Sequence, residues 1–214
     1  MIGDPLNKWR NDFGDAYTER NRLSPDVIWK RQNTFFCILE DLPVTDIIEV
    51  GCNLGHNLKI LQGFGYKVIG VEPNGSAHKA AFHLLNDPGV EKLEGLFIVN
   101  DGDCYNTRLP DECADLVLSS GLLIHVPDSR LDEAIIEMLR ISRKYLLIIE
   151  YFSEEDREII YRGNIGMLWK RNWPKVFERH PVSLFRDGFA GKDQGFDDCH
   201  WYLYEKLVSL YETV

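Results

Sequence analysis

Two carboxylates and a glycine-bracketed turn are the residues whose types and spacing point to chemistry. The apolar run Asp46-Ile47-Ile48-Glu49-Val50 leads into Gly51-Cys52-Asn53-Leu54-Gly55-His56-Asn57, after which Leu58, Ile60 and Leu61 recur at helical spacing. This reads as a buried strand, a tight phosphate- or nucleoside-type loop and a helix N-terminus. A second apolar run, Val68-Ile69-Gly70-Val71, ends in Glu72, 21 residues after Gly51. A glycine loop followed by such a carboxylate is how doubly wound sheets hold an adenosine-bearing cofactor. A dinucleotide fingerprint would place glycines at Asn53 and His56, and both are missing. A Walker loop fails as well, because no Gly-Lys-Ser/Thr follows. What remains is E-x-G-x-x-x-G, in which Asn53 can keep the turn because Asn tolerates left-handed backbone angles.

The elements that must position this loop follow the same logic. Ser24 reads as an N-cap with Pro25 at the first helical position, and Val27, Ile28, Phe35, Phe36 and Leu39 share one stripe. Strands are predicted at 46–50, 67–71, near 95–99, at 114–121 and at 145–150. Helices follow Gly55, start from Ser76 and start from Asp128-Ser129. Tyr145-Leu146-Leu147-Ile148-Ile149-Glu150 is continuously apolar up to its acid, the mark of a strand buried on both faces. The fold class is therefore α/β, a Rossmann-like doubly wound, mostly parallel sheet. Residues 151–214 should add a cover and a final antiparallel strand pair at the sheet edge, for seven strands in all. One domain over 1–214 is expected, with 1–23 and 151–186 as lid elements.

Bulk properties exclude several classes. A formal charge of -10 over 214 residues argues against a general nucleic-acid binder. Five scattered cysteines with no C-x-x-C pair argue against a disulfide framework or a zinc site. No basic-then-apolar leader and no run of 18 apolar residues is present, so a cytoplasmic chain that does not enter membranes is expected.

The motif Glu49-x-Gly51-x-x-x-Gly55 resembles motif I of class I S-adenosylmethionine-dependent methyltransferases. That resemblance implies S-adenosylmethionine as cofactor. It implies that Glu49, Gly51, Cys52, Asn53 and Gly55 form its loop and that Glu72, followed by Pro73, accepts its ribose hydroxyls. Asp103, beside Cys104, falls where the adenine amine is contacted; Asp101 competes for that role, and Asp103 could equally be a turn former. Ser120 and Gly121, leaving strand four, would line the methionine end.

Three further segments are similar to a narrower family, the methyltransferases associated with pseudaminic acid biosynthesis: 13–21, 150–152 with 161–163, and 197–206. This similarity implies a small, sugar-linked acceptor. Methyl transfer needs alignment and removal of an acceptor proton. His125 is the candidate base, with a capping role as the alternative; Glu150 could orient the acceptor or cap the strand end. Residues 157–186 hold seven Lys or Arg against two acids, which suits an anionic sugar acid or nucleotide sugar. Tyr17, Arg20, Tyr161, Arg162, Lys170 and Arg171 are the candidate acceptor contacts. Trp169 reads as an anchor for the lid, and Trp173 as a packing or stacking residue. Two competitors stand beside this: a class I methyltransferase for a quinone or lipid precursor, which a very apolar pocket would favour, and a catalytically silent cofactor-binding relative.

Overall fold

The computed structural model describes residues 5–86, 97–99 and 102–207, the 97–99 segment by its backbone. Two short helices, α1 (Pro5–Arg10) and α2 (Asp12–Arg20), precede α3 (Pro25–Leu39). Alternation then begins with β1 (Asp46–Val50), α4 (His56–Gly63), β2 (Lys67–Val71), α5 (Gly75–Leu85) and β3 (Phe97–Val99). It continues through β4 (Ala114–Ser120), a 3-10 turn at Leu123–His125, α6 (Asp128–Ile141) and β5 (Ser142–Glu150). A small two-stranded unit, β6 (Arg157–Glu158) with β7 (Trp169–Lys170), and α7 (Trp173–Phe177) lead to β8 (Val182–Ala190) and β9 (Cys199–Lys206).

Among the described residues the main sheet has seven strands in the order β3-β2-β1-β4-β5-β9-β8. The first five are parallel, whereas β9 runs antiparallel to both β5 and β8. The expected doubly wound sheet with an antiparallel edge pair is borne out. Strand order reverses between β1 and β4, and the crevice beyond their carboxyl ends is where such sheets take ligands.

Burial explains why β5 lacks polar alternation. Tyr145, Leu147 and Ile149 pack with Phe35, Ile38, Leu58 and Leu61 of α3 and α4, while Leu146 and Ile148 pack with Leu131, Ile135 and Met138 of α6. Each fully buried aliphatic side chain of this kind contributes about 1.5–3 kcal/mol.

Several local expectations change. Asn74, not Ser76, caps α5: its Oδ1 accepts from Ala77 N at 2.8 Å. Pro127 stands at the cap position of α6 and makes no side-chain capping bond; Asp128 is turned to Arg171 instead. Phe36 lies outside the buried stripe of α3, which runs through Thr34, Phe35, Ile38 and Leu39. Ser24 does cap α3, its hydroxyl accepting from Val27 N at 3.4 Å. The anchor of the 151–186 segment is Trp173, fully buried with Nε1 donating to Tyr151 O at 2.9 Å, rather than the half-buried Trp169. Residues 95 and 96, Asp101 and the turn at 87–89 lie outside the described residues.

Candidate functional site

The switch-point crevice opens into a cleft walled by the glycine loop, the ends of β2 and β4, the N-terminal helix pair and residues Tyr161, Leu168, Phe196, Asp197 and Cys199. The loop is shaped by left-handed backbone at Gly51 (φ 75°), Asn53 (φ 45°) and Gly55 (φ 73°). At Gly51 a Cβ would come within 3.0 Å of the Leu122 side chain, so both angle and space require glycine. Gly55 faces Ala81 and Leu85 instead and does not line the cleft. It packs against α5, so among the loop residues expected to hold the cofactor it stands behind the cleft surface.

Glu72 braces this loop from the neighbouring strand. Asn53 N donates to Oε2 and Asn74 N to Oε1, both at 2.8 Å. Burial still pushes its carboxyl up to about 7, against the pull of those two N–H groups. Glu49 is more extreme. Asn57 Nδ2 donates to its Oε1 at 2.7 Å, while the buried Oε2 has no partner. Burial raises this carboxyl to about 8, outweighing the Asn57 bond and the attraction of Arg31. Arg31 reaches in from α3, donating through Nη1 to Asn57 Oδ1 at 2.9 Å and through Nε to Gly195 O at 2.8 Å. Glu49, Asn57 and Arg31 thus form one hydrogen-bonded line along the cleft wall.

Cys52, Asn53, Pro73, Cys104, Ser120 and Gly121 also line the cleft. Burial pushes the Cys104 thiol up to about 12 and raises that of Cys52 strongly, so both stand as neutral thiols. Asp103 resolves to the turn former: Oδ1 accepts from Tyr105 N and Asn106 N, and Oδ2 pairs with Arg10 Nη2 at 2.7 Å. Asp103 itself is not among the residues that line the cleft.

The N-terminal helix pair is tied across the cleft at several points. Thr18 Oγ1 donates to Asn53 Oδ1 at 2.9 Å, and Asn74 Nδ2 bonds Trp9 O and Asp15 Oδ1. Together with the Arg10–Asp103 pair, these contacts join residues 9–18 to the exits of three strands.

At the other end His125 is buried, its ring 4.5 Å from that of Trp9 and 5.4 Å from that of Tyr161. Its Nδ1 lies 2.5 Å from Met167 O. A carbonyl only accepts, so Nδ1 carries the proton and the lone pair is on Nε2. Burial depresses this imidazole to about 4, so it is neutral at physiological pH.

Glu150, expected to orient the acceptor or cap the strand end, is bonded into the β4 exit turn. Fully buried, it accepts from Ser119 Oγ, Leu122 N, Leu123 N and Ile124 N, holding the turn that presents His125. The cations of the basic segment do not line the cleft. Arg171 is fully buried, donating to Leu123 O and Val126 O and pairing with Asp128. Arg20 and Arg162 are exposed and Lys170 lies over the Tyr151 ring; none of the seven cations in 157–186 lines the cleft. Tyr17 and Tyr161 do line it.

Sequence reasoning did not single out Arg31 or Asn74, and placed Trp9 and Asp197 only within the segments 1–23 and 197–206; all four line the cleft. For Arg31 a signal existed, since it sits between Ile28 and Phe35 on the apolar stripe of α3, where a charge needs a reason. Asp197 heads the 197–206 segment that carries the narrower resemblance, but its place at the cleft follows only once β9 is in the sheet.

With this geometry in view, the fold is that of the class I S-adenosylmethionine-dependent methyltransferases. Residues 48–147 match the family described as a methyltransferase domain. An uncharacterized methyltransferase of Geobacillus kaustophilus (strain HTA426) is 32% identical over 89 residues, 42% of this chain and 38% of the relative. A second from Geobacillus thermodenitrificans (strain NG80-2) is 33% identical over the same length. The matched part of the chain spans less than two fifths of these relatives. Among solved structures, magnesium protoporphyrin IX methyltransferase from Synechocystis PCC 6803 with bound SAM superposes with a TM-score of 0.69 at 14% identity, covering 96% of this chain and 98% of that one. Burkholderia thailandensis 1,6-didemethyltoxoflavin-N1-methyltransferase gives 0.73 at 12%, covering 97% and 92%. At such identities these structures speak to fold. The narrower pseudaminic acid resemblance rests on its own sequence segments alone.

Proposed function

We propose that this chain is an S-adenosylmethionine-dependent methyltransferase acting on a hydroxyl or amine of a small molecule. The observation that carries the reading is the unpartnered Oε2 of Glu49, buried in the wall of a cleft whose loop and Glu72 suit an adenosine-bearing group. A buried acceptor atom without a donor costs about 1–3 kcal/mol, and an ammonium placed there would satisfy it. Glu49, Asn57 and Arg31 would hold the amino-acid end of the cofactor, Gly51 to Asn53 its centre and Glu72 the ribose. When bound, the cofactor supplies a methyl group on a sulfonium, open to in-line attack.

The chain's own residues do the rest. The helix pair at 5–20 and Tyr161, acting as covers of a single domain, exclude water from the cleft. His125 Nε2 accepts the acceptor's proton as the new bond to the methyl group forms, a contribution of ~10²–10⁴-fold when a base is well placed. The anionic sugar acceptor expected from the basic count loses its support, because those cations face elsewhere. The aromatic lining favours the alternative of an uncharged metabolite such as a quinone-type precursor.

The test is calorimetric titration with S-adenosylhomocysteine, followed by methyl-transfer assays on candidate acceptors. Saturable binding that is lost in Glu72→Ala supports the reading, and no binding at millimolar ligand overturns it. For a confirmed acceptor, His125→Gln should lower kcat by ~10²–10⁴ while leaving the Kd of S-adenosylhomocysteine within about twofold. An unchanged kcat would remove His125 from the chemistry.

A further inference from the structure

We infer that the cleft end walled by Trp9, Tyr17, His125 and Tyr161 is a compartment for a flat, uncharged aromatic or heteroaromatic acceptor, held by a hydrogen bond from Trp9 Nε1. This rests on the methyltransferase reading and adds the class of acceptor.

Four rings converge here from three separate segments. Trp9 lies edge-on to Tyr17, with ring centroids 5.1 Å apart, and tilts against His125 at 4.5 Å; Tyr161 closes on His125 from the 151–186 segment. Such walls favour a planar guest, because aromatic pairs gain from offset and edge contacts beyond the area they bury. The same walls disfavour charge. Among the described residues Arg31 is the only Lys or Arg lining the cleft, and it is already engaged with Asn57 and Gly195. His125 is neutral, so an anion at this end would meet no counter-charge.

The walls also hold a buried polar atom without a partner. Trp9 Nε1 is buried and has no hydrogen-bond partner. An indole N–H only donates, so it calls for a carbonyl, ring nitrogen or ether oxygen on the guest. His125 offers the complementary acceptor at Nε2. The wall thus specifies a guest with an acceptor atom for Trp9 and a protonated nucleophile, a hydroxyl or ring N–H, for His125. Hydroxyquinolines and hydroxyquinones meet that description as planar, uncharged guests; sugar acids offer the same atoms but are charged and not planar.

The experiment is calorimetry on the intact protein saturated with S-adenosylhomocysteine. The probes are 8-hydroxyquinoline and 6-hydroxyquinoline, both uncharged near pH 7. Glucuronic acid and decahydro-1-naphthol, an uncharged saturated bicycle of similar size, serve as comparators. At least one aromatic probe should bind roughly tenfold or more tighter than both comparators. Trp9→Phe keeps the ring but removes the donor, and should weaken that probe by roughly 2–10-fold with the Kd of S-adenosylhomocysteine unchanged. Tyr161→Leu, at a second wall, should also weaken it. Binding of S-adenosylhomocysteine with no aromatic probe bound, or with glucuronic acid preferred, overturns this inference alone. An unaltered probe affinity in Trp9→Phe overturns the assigned hydrogen bond. Failure to bind S-adenosylhomocysteine overturns the underlying reading instead.

Discussion

Replacing Glu49 by glutamine should raise stability and weaken cofactor binding at once. Glu49 titrates near its ordinary value of 4.5 when unfolded and near 8 when folded, because burial disfavours its charge. Between these values the unfolded chain has released a proton that the folded chain keeps, so the wild type loses stability as pH rises through the window. Each pH unit of that window corresponds to about 1.4 kcal/mol. The accumulated loss is on the order of 3 kcal/mol at pH 7 and 5 kcal/mol above pH 8. Glutamine has no proton to lose. Its carbonyl can accept from Asn57 as Oε1 does, and its amide NH₂ takes the place of a protonated Oε2. Glu49→Gln should therefore match the wild type near pH 5 and pull ahead as pH rises. At roughly 2–4 °C per kcal/mol for a chain of this size, Tm should rise by about 6–12 °C at pH 7. Binding should move the other way. At pH 7 the wild-type carboxyl is mostly protonated and must ionise to meet an ammonium, so S-adenosylhomocysteine binding should release a proton. The variant should release none from this position and bind ~10–100-fold more weakly, as expected for a lost charge-assisted hydrogen bond. Scanning fluorimetry from pH 5 to 8.5, and calorimetry in buffers of differing ionisation enthalpy, read the two effects. A variant less stable than the wild type at pH 8, or one that binds equally well, would refute the argument.

Two further outcomes follow from the same bonds. Glu150→Ala should cost at least about 3 kcal/mol, because it leaves four donors in the β4 exit turn without their acceptor. Chemical denaturation checks this, and a variant of wild-type stability that has lost only turnover would return Glu150 to the chemistry. Asn53→Gly should relieve left-handed backbone by roughly 1 kcal/mol but remove the acceptor for Thr18. Amide exchange should then quicken in residues 12–20 while Tm stays nearly level; unchanged exchange would mean that the Thr18 bond does not hold the helix pair down.

What could be read from the chain alone was what is local. The E-x-G-x-x-x-G turn, the left-handed Asn53 and the capped start of α3 depend on residues within a few positions of one another. The two-faced burial of β5 was visible for the same reason, since an apolar run admits few other readings. Direction across space was not visible. Seven cations between 157 and 186 form a cluster in a linear count, yet Arg171 turns inward to carbonyls at 123 and 126 while the others face solvent or surface partners. Glu150 ends its strand at the crevice as expected, but the backbone N–H groups of 122–124 reach it first. Asp103 was open between two roles, and an arginine 93 residues away settled it.

The connection from β5 to β8 sets how such a chain can diversify. It leaves the sheet after Glu150, carries Tyr161 and Leu168 to the cleft, and rejoins the sheet at Val182 without interrupting any ladder of the parallel strands. Closing a longer excursion costs little, since each doubling of a loop adds only about 0.6 kcal/mol. This excursion can therefore be lengthened, shortened or exchanged while β1, β2 and the glycine turn remain as they are. One wall of the cleft is free to drift in evolution while the opposite wall is held, and new acceptors can be acquired without rebuilding the machinery beneath them.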